Sequence, residues 1–287
     1  MSTHELSADI PDRADDEIIF EPVDQTLLAW GDIKDGIRKW PIWLMLAYQD
    51  IKLRYRRSVL GPFWLTLSMA ITIYTMGYIY SHIFHTDMAD YFPYLTGGML
   101  AWTLLSTLVT EFTDGLAASE HLIKQIKLPY TLYIHRIACR NMIIFFHNLV
   151  VIVPIWIIYH ETTSVNFNTL LLFPSLLLIY VNAVSYGMIL SMIGARYRDI
   201  SQIIKSLVQV TFFITPVMWT PDALIAKNHY IVDLNPFYHY IELIRAPLNG
   251  HAPSLYNIGF AVMMTLVGLL GAWMILVRRR SRIVYWL

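Results

Sequence analysis

The chain has 287 residues, of which 56% are hydrophobic, 14% are aromatic and only 15% are charged, and its formal net charge is zero. About 25% of the residues in an ordinary soluble domain are charged, so this chain lacks the polar residues that would cover a soluble core of its size. With a mean hydropathy of +0.48, the composition excludes a soluble protein and predicts an all-α integral membrane protein. The zero net charge gives no reason to expect nucleic acid as a partner.

Residues 1–24 form an acidic arm, with eight carboxylates, one arginine and no apolar run. Such a segment cannot bury enough apolar surface to fold, so we expect a disordered cytoplasmic arm. It also lacks the apolar centre of a secretory signal peptide.

Residues 25–60 form an interface segment and a cationic connector. Apolar residues recur there every three or four positions, which predicts an amphipathic helix in the headgroup region of the membrane. The apolar positions are Leu27, Trp30, Ile33, Ile37 and Trp40, and the opposite face holds Asp32, Lys34, Asp35, Arg38 and Lys39. Pro41 interrupts this helix, and a more cationic segment follows.

Four cations lie within six residues, shortly before the first long apolar run: Lys52, Arg54, Arg56 and Arg57. Two interpretations stay open. The cations can serve only to orient the neighbouring span. They also suit an anionic ligand, either a phosphate or a lipid headgroup, because the guanidinium group donates two parallel hydrogen bonds to phosphate oxygens.

The region 61–280 contains six candidate membrane spans, since about 20 mostly apolar residues cross a bilayer. The spans cover about 63–84, 94–113, 139–160, 169–194, 203–220 and 255–277, and a short tail follows at 281–287. Of the 21 lysines and arginines, all but Lys227 and Arg245 fall before the first span, around the loops after the second and fourth, or after the sixth. The positive-inside rule therefore predicts a multi-pass protein with both termini in the cytoplasm.

The segment between spans five and six is too apolar for a solvated loop. Asn235 followed by Pro236 predicts a helix start, with the asparagine as the cap. We expect short re-entrant helices here, because non-spanning backbone is tolerated where protein or a water-filled cavity covers it. An ordinary amphipathic surface helix is the alternative. Glu242 and Arg245, one turn apart, are expected to pair.

The sequence contains no catalytic or metal-binding pattern. His82 and His85 are three residues apart, but no cysteine or carboxylate cluster accompanies them. No Gly-Lys pair occurs, so the sequence has no P-loop, and no Gly-x-Ser-x-Gly segment supplies a nucleophile. We therefore expect no metal and no bound cofactor.

Several segments carry a resemblance to one family. They are LAYQDIKLRYRRSVLGPFW (46–64), HLIKQIKLP (121–129), ARYRDI (195–200), ITPVMW (214–219) and LNPFYHYIELIRAPL (234–248). In this order they resemble the membrane subunits of polysaccharide-exporting ABC transporters, the ABC-2 type export permeases. The resemblance covers roughly residues 25–280.

This resemblance implies a permease of the cytoplasmic (inner) membrane that exports a lipid-linked polysaccharide. O-antigen is the first expectation, with capsule and teichoic acid as alternatives. ATP and Mg2+ would bind to a separate ATPase subunit, present in two copies. We expect a homodimer, because six helices alone enclose too little space for a polymer and oligomers are usually closed and symmetric.

The candidate site residues have expected roles in such a transporter. The polyprenyl pyrophosphate end of the substrate would bind to Lys52, Arg54, Arg56 and Arg57. The sugar chain would pass aromatic rings, which offer shallow and repeated contacts, at Tyr74, Tyr78, Phe212, Phe213 and Trp219. A cytoplasmic gate loop would contain Lys124, Lys127 and Pro129.

A short charged helix around Arg196, Tyr197, Arg198 and Asp199 would dock the ATPase, unless these residues form only a positively charged inside loop. Two other functions stay open. One is an integral-membrane transferase that acts on a polyprenyl-linked substrate, although spans one, four and six contain no acidic residue. The other is a drug or lipid exporter of the same fold.

Overall fold

The computed structural model describes residues 24–56, 58, 61, 63–163, 165–223 and 230–287. Within these ranges the regular secondary structure is entirely helical, with no β-strand. The predicted acidic arm, apart from Asp24, lies outside the described residues, and so do Arg57 and Lys227. The all-α prediction is confirmed for the described part of the chain.

The interface segment consists of α1 (Gln25–Arg38) and α2 (Trp40–Arg54). Asp24 caps α1 by accepting a hydrogen bond from the Thr26 amide at 2.8 Å. Pro41 lies in the first turn of α2, where its missing N–H leaves no hydrogen bond unmade. On the outer side of α1, Trp30 is 59% exposed. The prediction that Asp32 lies on an exposed charged face is wrong, because its side chain is buried against the bundle.

The remaining helices form a bundle. They are α3 (Phe63–Phe84), α4 (Met88–Thr113), α5 (Glu120–Gln125), α6 (Tyr130–Asn148), α7 (Ile152–Ile158), α8 (Leu172–Arg196), α9 (Asp199–Ile214), α10 (Tyr230–Asp233), α11 (Pro236–Leu248), α12 (Leu255–Arg279) and α13 (Ile283–Trp286). Single 3-10 segments connect α6 to α7, precede α8, and connect α12 to α13.

Helix α4 lies at the centre of the bundle and packs against α3, α6, α8, α9 and α11. Glycines on α8 bring that helix close to α4. A Cβ atom at Gly187 would lie 2.6 Å from the ring of Phe112, and one at Gly194 would overlap the carbonyl of Thr113. These approaches are typical of helix packing in membranes, where small residues let backbones come together.

Four helical stretches are long and apolar enough to cross a membrane: Met88–Thr113, Tyr130–Ile158, Phe167–Arg196 and Leu255–Trp286. They make the chain a multi-pass membrane protein. The 22-residue α3 is not among them, and α9 has only 16 residues. The total of six spans therefore stays a prediction.

Three predicted spans differ from the helices by several residues. The second span was placed at 94–113, but α4 begins at Met88. The third span was placed at 139–160, but its helix begins at Tyr130, because acidic partners allow charged residues inside the helix. The fifth was placed at 203–220, but α9 ends at Ile214 and an irregular stretch follows from Thr215.

Helix α1, helix α5 and residues 280–287 lie at one end of the bundle. We call this end the terminal face, because both ends of the described chain are found there. The irregular stretch after α9 and the first turn of α11 lie toward the other end, which we call the opposite face.

Candidate functional site

Asp32 joins α1 to the first turn of α6 at the terminal face. Its carboxylate accepts hydrogen bonds from the backbone amides of Tyr130 at 3.1 Å and Thr131 at 3.0 Å, and from Arg280 Nε at 3.0 Å. The two amides open α6 and have no partner within it. Gly36 makes the approach possible, since a Cβ atom there would overlap Thr131 Oγ1.

Five charged side chains from α2, α4 and α6 form one network near the terminal face. Arg136 Nε donates to Asp50 Oδ2 at 2.8 Å. Arg140 bridges two acids, with Nη1 at 2.7 Å from Asp50 Oδ2 and Nη2 at 2.7 Å from Glu111 Oε2. Arg54 Nη2 lies 3.6 Å from Glu111 Oε1, a longer and weaker contact. Three cations thus face two carboxylates, and the network retains one positive charge.

The structure divides the predicted cationic cluster between two surfaces. Arg54 points toward Glu111 and the bundle. Lys52 at the end of α2 and Arg56 just after it line a separate groove of 310 Å³ with Gln49. The four cations were expected to act together, but only these two described members share a surface.

A cavity of 380 Å³ lies between α3, α4 and α6, and Arg54 forms part of its wall. Thr103, Asn141 and Asn148 also line it. Asn141 Nδ2 donates to Glu111 Oε2 at 2.6 Å, so the cavity adjoins the charge network. The site therefore combines an excess cation with a half-open cavity that has a few polar side chains in a mostly apolar wall.

The two tyrosines predicted on the translocation path occupy different environments on α3. The Tyr74 hydroxyl donates to the carbonyl of Val151 at 2.8 Å, and its ring packs near Phe92. It fastens α3 to the junction between α6 and α7. Tyr78 is 60% exposed on the outer surface of α3. Of the two tyrosines, only Tyr78 has a ring that is exposed on the surface of the protomer.

The aromatic residues predicted at the fifth span are also divided. Phe212 packs on Trp102 of α4, with ring centroids 5.3 Å apart. Phe213 is 71% exposed, and its carbonyl accepts a hydrogen bond from Trp219 Nε1 at 3.2 Å. Phe213 is therefore the most exposed ring of this group.

Arg245 is buried below the opposite face and supports the irregular stretch after α9. Its Nη2 donates to the carbonyl of Pro216 at 2.8 Å, and its Nη1 lies 2.6 Å from Glu242 Oε1. The guanidinium group also lies 3.9 Å from the ring centre of Tyr94, whose hydroxyl donates to the carbonyl of Trp219 at 2.9 Å. Backbone carbonyls in an irregular stretch inside a helical bundle have no helical N–H partner, so they need hydrogen-bond donors from side chains. The predicted pairing of Glu242 with Arg245 is confirmed.

The predicted start of α11 is confirmed as well. Asn235 Oδ1 accepts a hydrogen bond from the Phe237 amide at 3.0 Å, and Pro236 occupies the first helical position. Asn235 Nδ2 donates to Thr215 Oγ1 at 2.8 Å, which attaches the cap to the end of α9. The entry of α11 into the membrane stays a prediction.

The helix predicted around Arg196 to Asp199 is wrong as an element. Arg196 ends α8 and Asp199 begins α9, so Tyr197 and Arg198 form only the turn between them. The separate short helix at the terminal face is α5, which precedes α6. Because α8 ends at Arg196 and α9 begins at Asp199, the segment between them is too short to form a third helix.

Helix α5 and this turn are neighbours. Glu120 accepts a hydrogen bond from Lys124 at 2.7 Å, and this bond with the charge of Lys124 holds the pKa of Glu120 below its ordinary value. The positive charge of Arg198 adds to this lowering. Lys127 is exposed after α5, whereas Pro129 is buried at the start of α6. The turn and the predicted gate loop thus share one exposed surface.

Sequence reasoning missed the charge network. It treated Arg136 and Arg140 as orientation signals and gave Asp50 and Glu111 no role. The available signal was Glu111 at the end of an apolar run, together with two arginines that lie one helical turn apart later in the chain. An acid at the edge of a span needs a cation.

Comparison with known proteins gives one family and several relatives. The family described as "ABC-2 type transporter" matches residues 42–249. The polysialic acid transport protein KpsM of Escherichia coli is 25% identical over 230 residues, which cover 78% of this chain and 88% of KpsM. The O-antigen export system permease protein RfbA of Klebsiella pneumoniae is 22% identical over 236 residues, covering 79% and 88%. RfbA of Myxococcus xanthus is 23% identical over 179 residues, covering 61% and 67%.

Proposed function

Because the chain belongs to the ABC-2 type transporter family, we propose that it is the permease of an ATP-driven exporter of a lipid-linked polysaccharide. The names of its relatives favour O-antigen or capsule as the cargo. The observation that carries the proposal is the excess positive charge of the network near the terminal face, beside the cavity that Arg54 helps to line. A lipid-linked polymer presents its densest charge at the lipid end, and such a site suits that end.

Arg54 is the first candidate ligand of the lipid pyrophosphate. Its partner Glu111 already has a closer cation in Arg140, so Arg54 can turn to a phosphate without leaving that acid unpaired. Lys52 and Arg56 form a second cationic surface nearby, which suits the headgroups of membrane lipids. Arginine is favoured for the phosphate because its planar donors match two oxygens at once.

The sugar chain would follow exposed aromatic rings. Tyr78 on α3 and Phe213 on α9 are the exposed members of the predicted set, and neither belongs to the interior packing of one protomer. In a homodimer, two copies of each helix would enclose a wider route than one chain can. Ring faces hold sugars weakly and repeatedly, which lets a polymer advance.

The energy would come from two copies of a separate ATPase subunit, which would bind ATP and Mg2+. The surface formed by α5 and the turn at Tyr197 and Arg198 is its proposed docking site, since it is exposed and charged. The terminal face would be cytoplasmic, because lysines and arginines concentrate there. The membrane would be the cytoplasmic (inner) membrane.

Deletion of the gene in its native host tests this function. Surface polysaccharide should disappear, and lipid-linked polymer should accumulate in membranes while remaining inaccessible to reagents outside the cell. Arg54→Ala should fail to restore export at normal abundance, whereas Arg38→Ala, an exposed cation on α1, should restore it. Unchanged surface polysaccharide in the deletion strain would exclude the function.

A reporter fused after Leu287 tests the topology, and it should be active in the cytoplasm.

A further inference from the structure

A pocket of 490 Å³ lies beside α11, toward the opposite face. Ten of its twelve lining residues have polar side chains, and the other two are alanines. One wall is a single face of α11, with Tyr238, Glu242, Arg245 and Asn249 at spacings of three or four residues. The volume falls within the range of small-ligand pockets, about 300–1,000 Å³, so the pocket suits a small polar ligand.

The buried side chain of His239 holds three parts of this lining in place. Its Nε2 donates to the carbonyl of Asp233 at 2.9 Å, and its Nδ1 lies 2.8 Å from Asn257 Oδ1. The rings of Tyr238 and Tyr256 both pack edge-on against the imidazole, with centroids 5.6 and 5.3 Å away. Lining residues from α10, α11 and α12 are therefore fixed by one side chain, which lowers the ordering cost of binding a ligand.

The groups that a ligand would meet in this pocket are accessible. Asp233, His251 and Tyr256 are exposed, and the Tyr256 side chain is exposed to 60%. Within the described residues, no salt bridge or hydrogen bond occupies the carboxylate of Asp233, since only its backbone carbonyl is bonded. This carboxylate is thus an acceptor that a ligand can reach.

The charges of the lining restrict the class of ligand. Arg245 neutralises Glu242 at 2.6 Å, so the carboxylate of Asp233 leaves the lining with an uncompensated negative charge, which disfavours an acidic ligand. No group of three or more metal-binding side chains occurs among the described residues. A neutral sugar fits what remains, because its hydroxyl groups can donate to a carboxylate and its C–H face can pack on a tyrosine ring.

We propose that this pocket binds a neutral sugar unit of the exported polymer on the extracytoplasmic side of the membrane. The Asp233 carboxylate would accept hydrogen bonds from the sugar hydroxyl groups, and the Tyr256 ring would contact the sugar C–H face. This inference rests on the proposed function and adds a cargo preference to it. A polymer with an acidic sugar in every repeat would bind more weakly, because its carboxylates would meet Asp233.

Binding to the full-length protein in nanodiscs tests the pocket. The first probe is the polysaccharide that the deletion strain lacks, released from its lipid and cut to oligosaccharides. The second is oligosialic acid, which carries one carboxylate per sugar. The wild-type protein should bind the first probe about tenfold more tightly than the second, because like charges repel in the pocket.

Two variants assign this binding to the pocket. Asp233→Asn should weaken binding of the first probe about fivefold, because hydrogen bonds to a charged acceptor are stronger than those to a neutral one, and should reduce the discrimination against oligosialic acid. Tyr256→Leu should weaken binding of the first probe about fivefold by removing the ring face. The matched controls are Asp90→Asn, an exposed acid in the first turn of α4, and Tyr285→Leu, an exposed ring at the terminal face. Both controls should bind as the wild type does.

Thermal unfolding separates this role from a structural one. Asp233→Asn should unfold at the wild-type temperature, and a lower temperature would overturn the role of this carboxylate in binding. Unchanged affinity for the first probe in both pocket variants, or equal affinity of the wild type for the two probes, would overturn the proposal. An acidic sugar in every repeat of the missing polysaccharide would overturn it and leave the proposed function standing. A deletion strain that lacks no polysaccharide would overturn both.

Discussion

Arg280 donates through Nε to the carboxylate of Asp32 at 3.0 Å, although 248 residues separate the two in the chain. The same carboxylate accepts hydrogen bonds from the first amides of α6. One buried acid thus holds together the interface helix α1, helix α6 and the C-terminal segment. The interface helix is therefore a fixed part of the bundle.

Asp32→Ala should destabilise the protein. The change leaves two amides of α6 without partners, and unsatisfied buried groups cost about 1–3 kcal/mol each. Thermal unfolding of the purified protein in detergent should show a clearly lower midpoint. Asp35→Ala, an exposed acid on the same helix, should leave the midpoint unchanged. Equal midpoints for the two variants would contradict the role of Asp32.

Arg140→Lys should weaken the charge network although the charge is kept. A lysine amine does not match two carboxylates with the planar, separate donors of a guanidinium group, so either Asp50 or Glu111 loses its bond to residue 140. We expect a loss of about 1–3 kcal/mol in stability, measured by thermal unfolding. Arg38→Lys, at an exposed position on α1, is the matched control. Unchanged stability of both variants would show that the bridge from Arg140 to the two carboxylates is not needed for stability.

Gly98→Ala should displace Arg245. A Cβ atom at Gly98 would overlap Arg245 Nη2 and lie 2.9 Å from the carbonyl of Val217, and overpacking costs about 1–3 kcal/mol. Gly259→Ala places the same methyl group on α12, where nothing lies within 4 Å. The first variant should lose stability and membrane abundance, and the second should match the wild type. Normal abundance of Gly98→Ala would show that the packing tolerates the extra carbon.

Replacing Arg198 and Asp199 together with alanine should reduce export and ATPase association without reducing the amount of protein in the membrane. Truncating a charged partner buried in an interface costs about 2–5 kcal/mol. Export is measured as surface polysaccharide at matched expression. Lys34→Ala with Asp35→Ala changes an exposed pair on α1 and serves as the control. Unchanged export in the first double variant would exclude the turn from coupling.

Tyr78→Ala should slow export at normal abundance, because its ring is exposed and fastens nothing inside the protomer. Tyr74→Ala should instead lower abundance, because it removes the hydrogen bond to Val151. Quantitative blotting with a surface-polysaccharide assay separates the two effects. Normal export by Tyr78→Ala would place that ring against lipid or a neighbouring helix instead of the cargo.

Local features of the sequence predicted local structure well. The Asn235–Pro236 start of α11, the pairing of Glu242 with Arg245 and the interruption at Pro41 all follow from residues within one helical turn. The predicted coupling helix at Arg196 to Asp199 failed because charge alone does not distinguish a helix from a turn between two longer helices. The end of α9 was misplaced for a related reason: apolar residues continue past Ile214 although the helix does not.

The sequence by itself determined that this is a helical membrane protein of a recognisable family, because hydropathy, charge asymmetry and motif order depend only on composition and position. The tertiary structure alone decided which charges meet. Asp50 and Arg136 are 86 residues apart, and Glu111 and Arg140 are 29 apart, so no local pattern predicts their pairing. It also decided that Arg54 lines the cavity between α3, α4 and α6 while Lys52 and Arg56 line a separate groove, since the direction of each side chain depends on how α2 packs against the bundle.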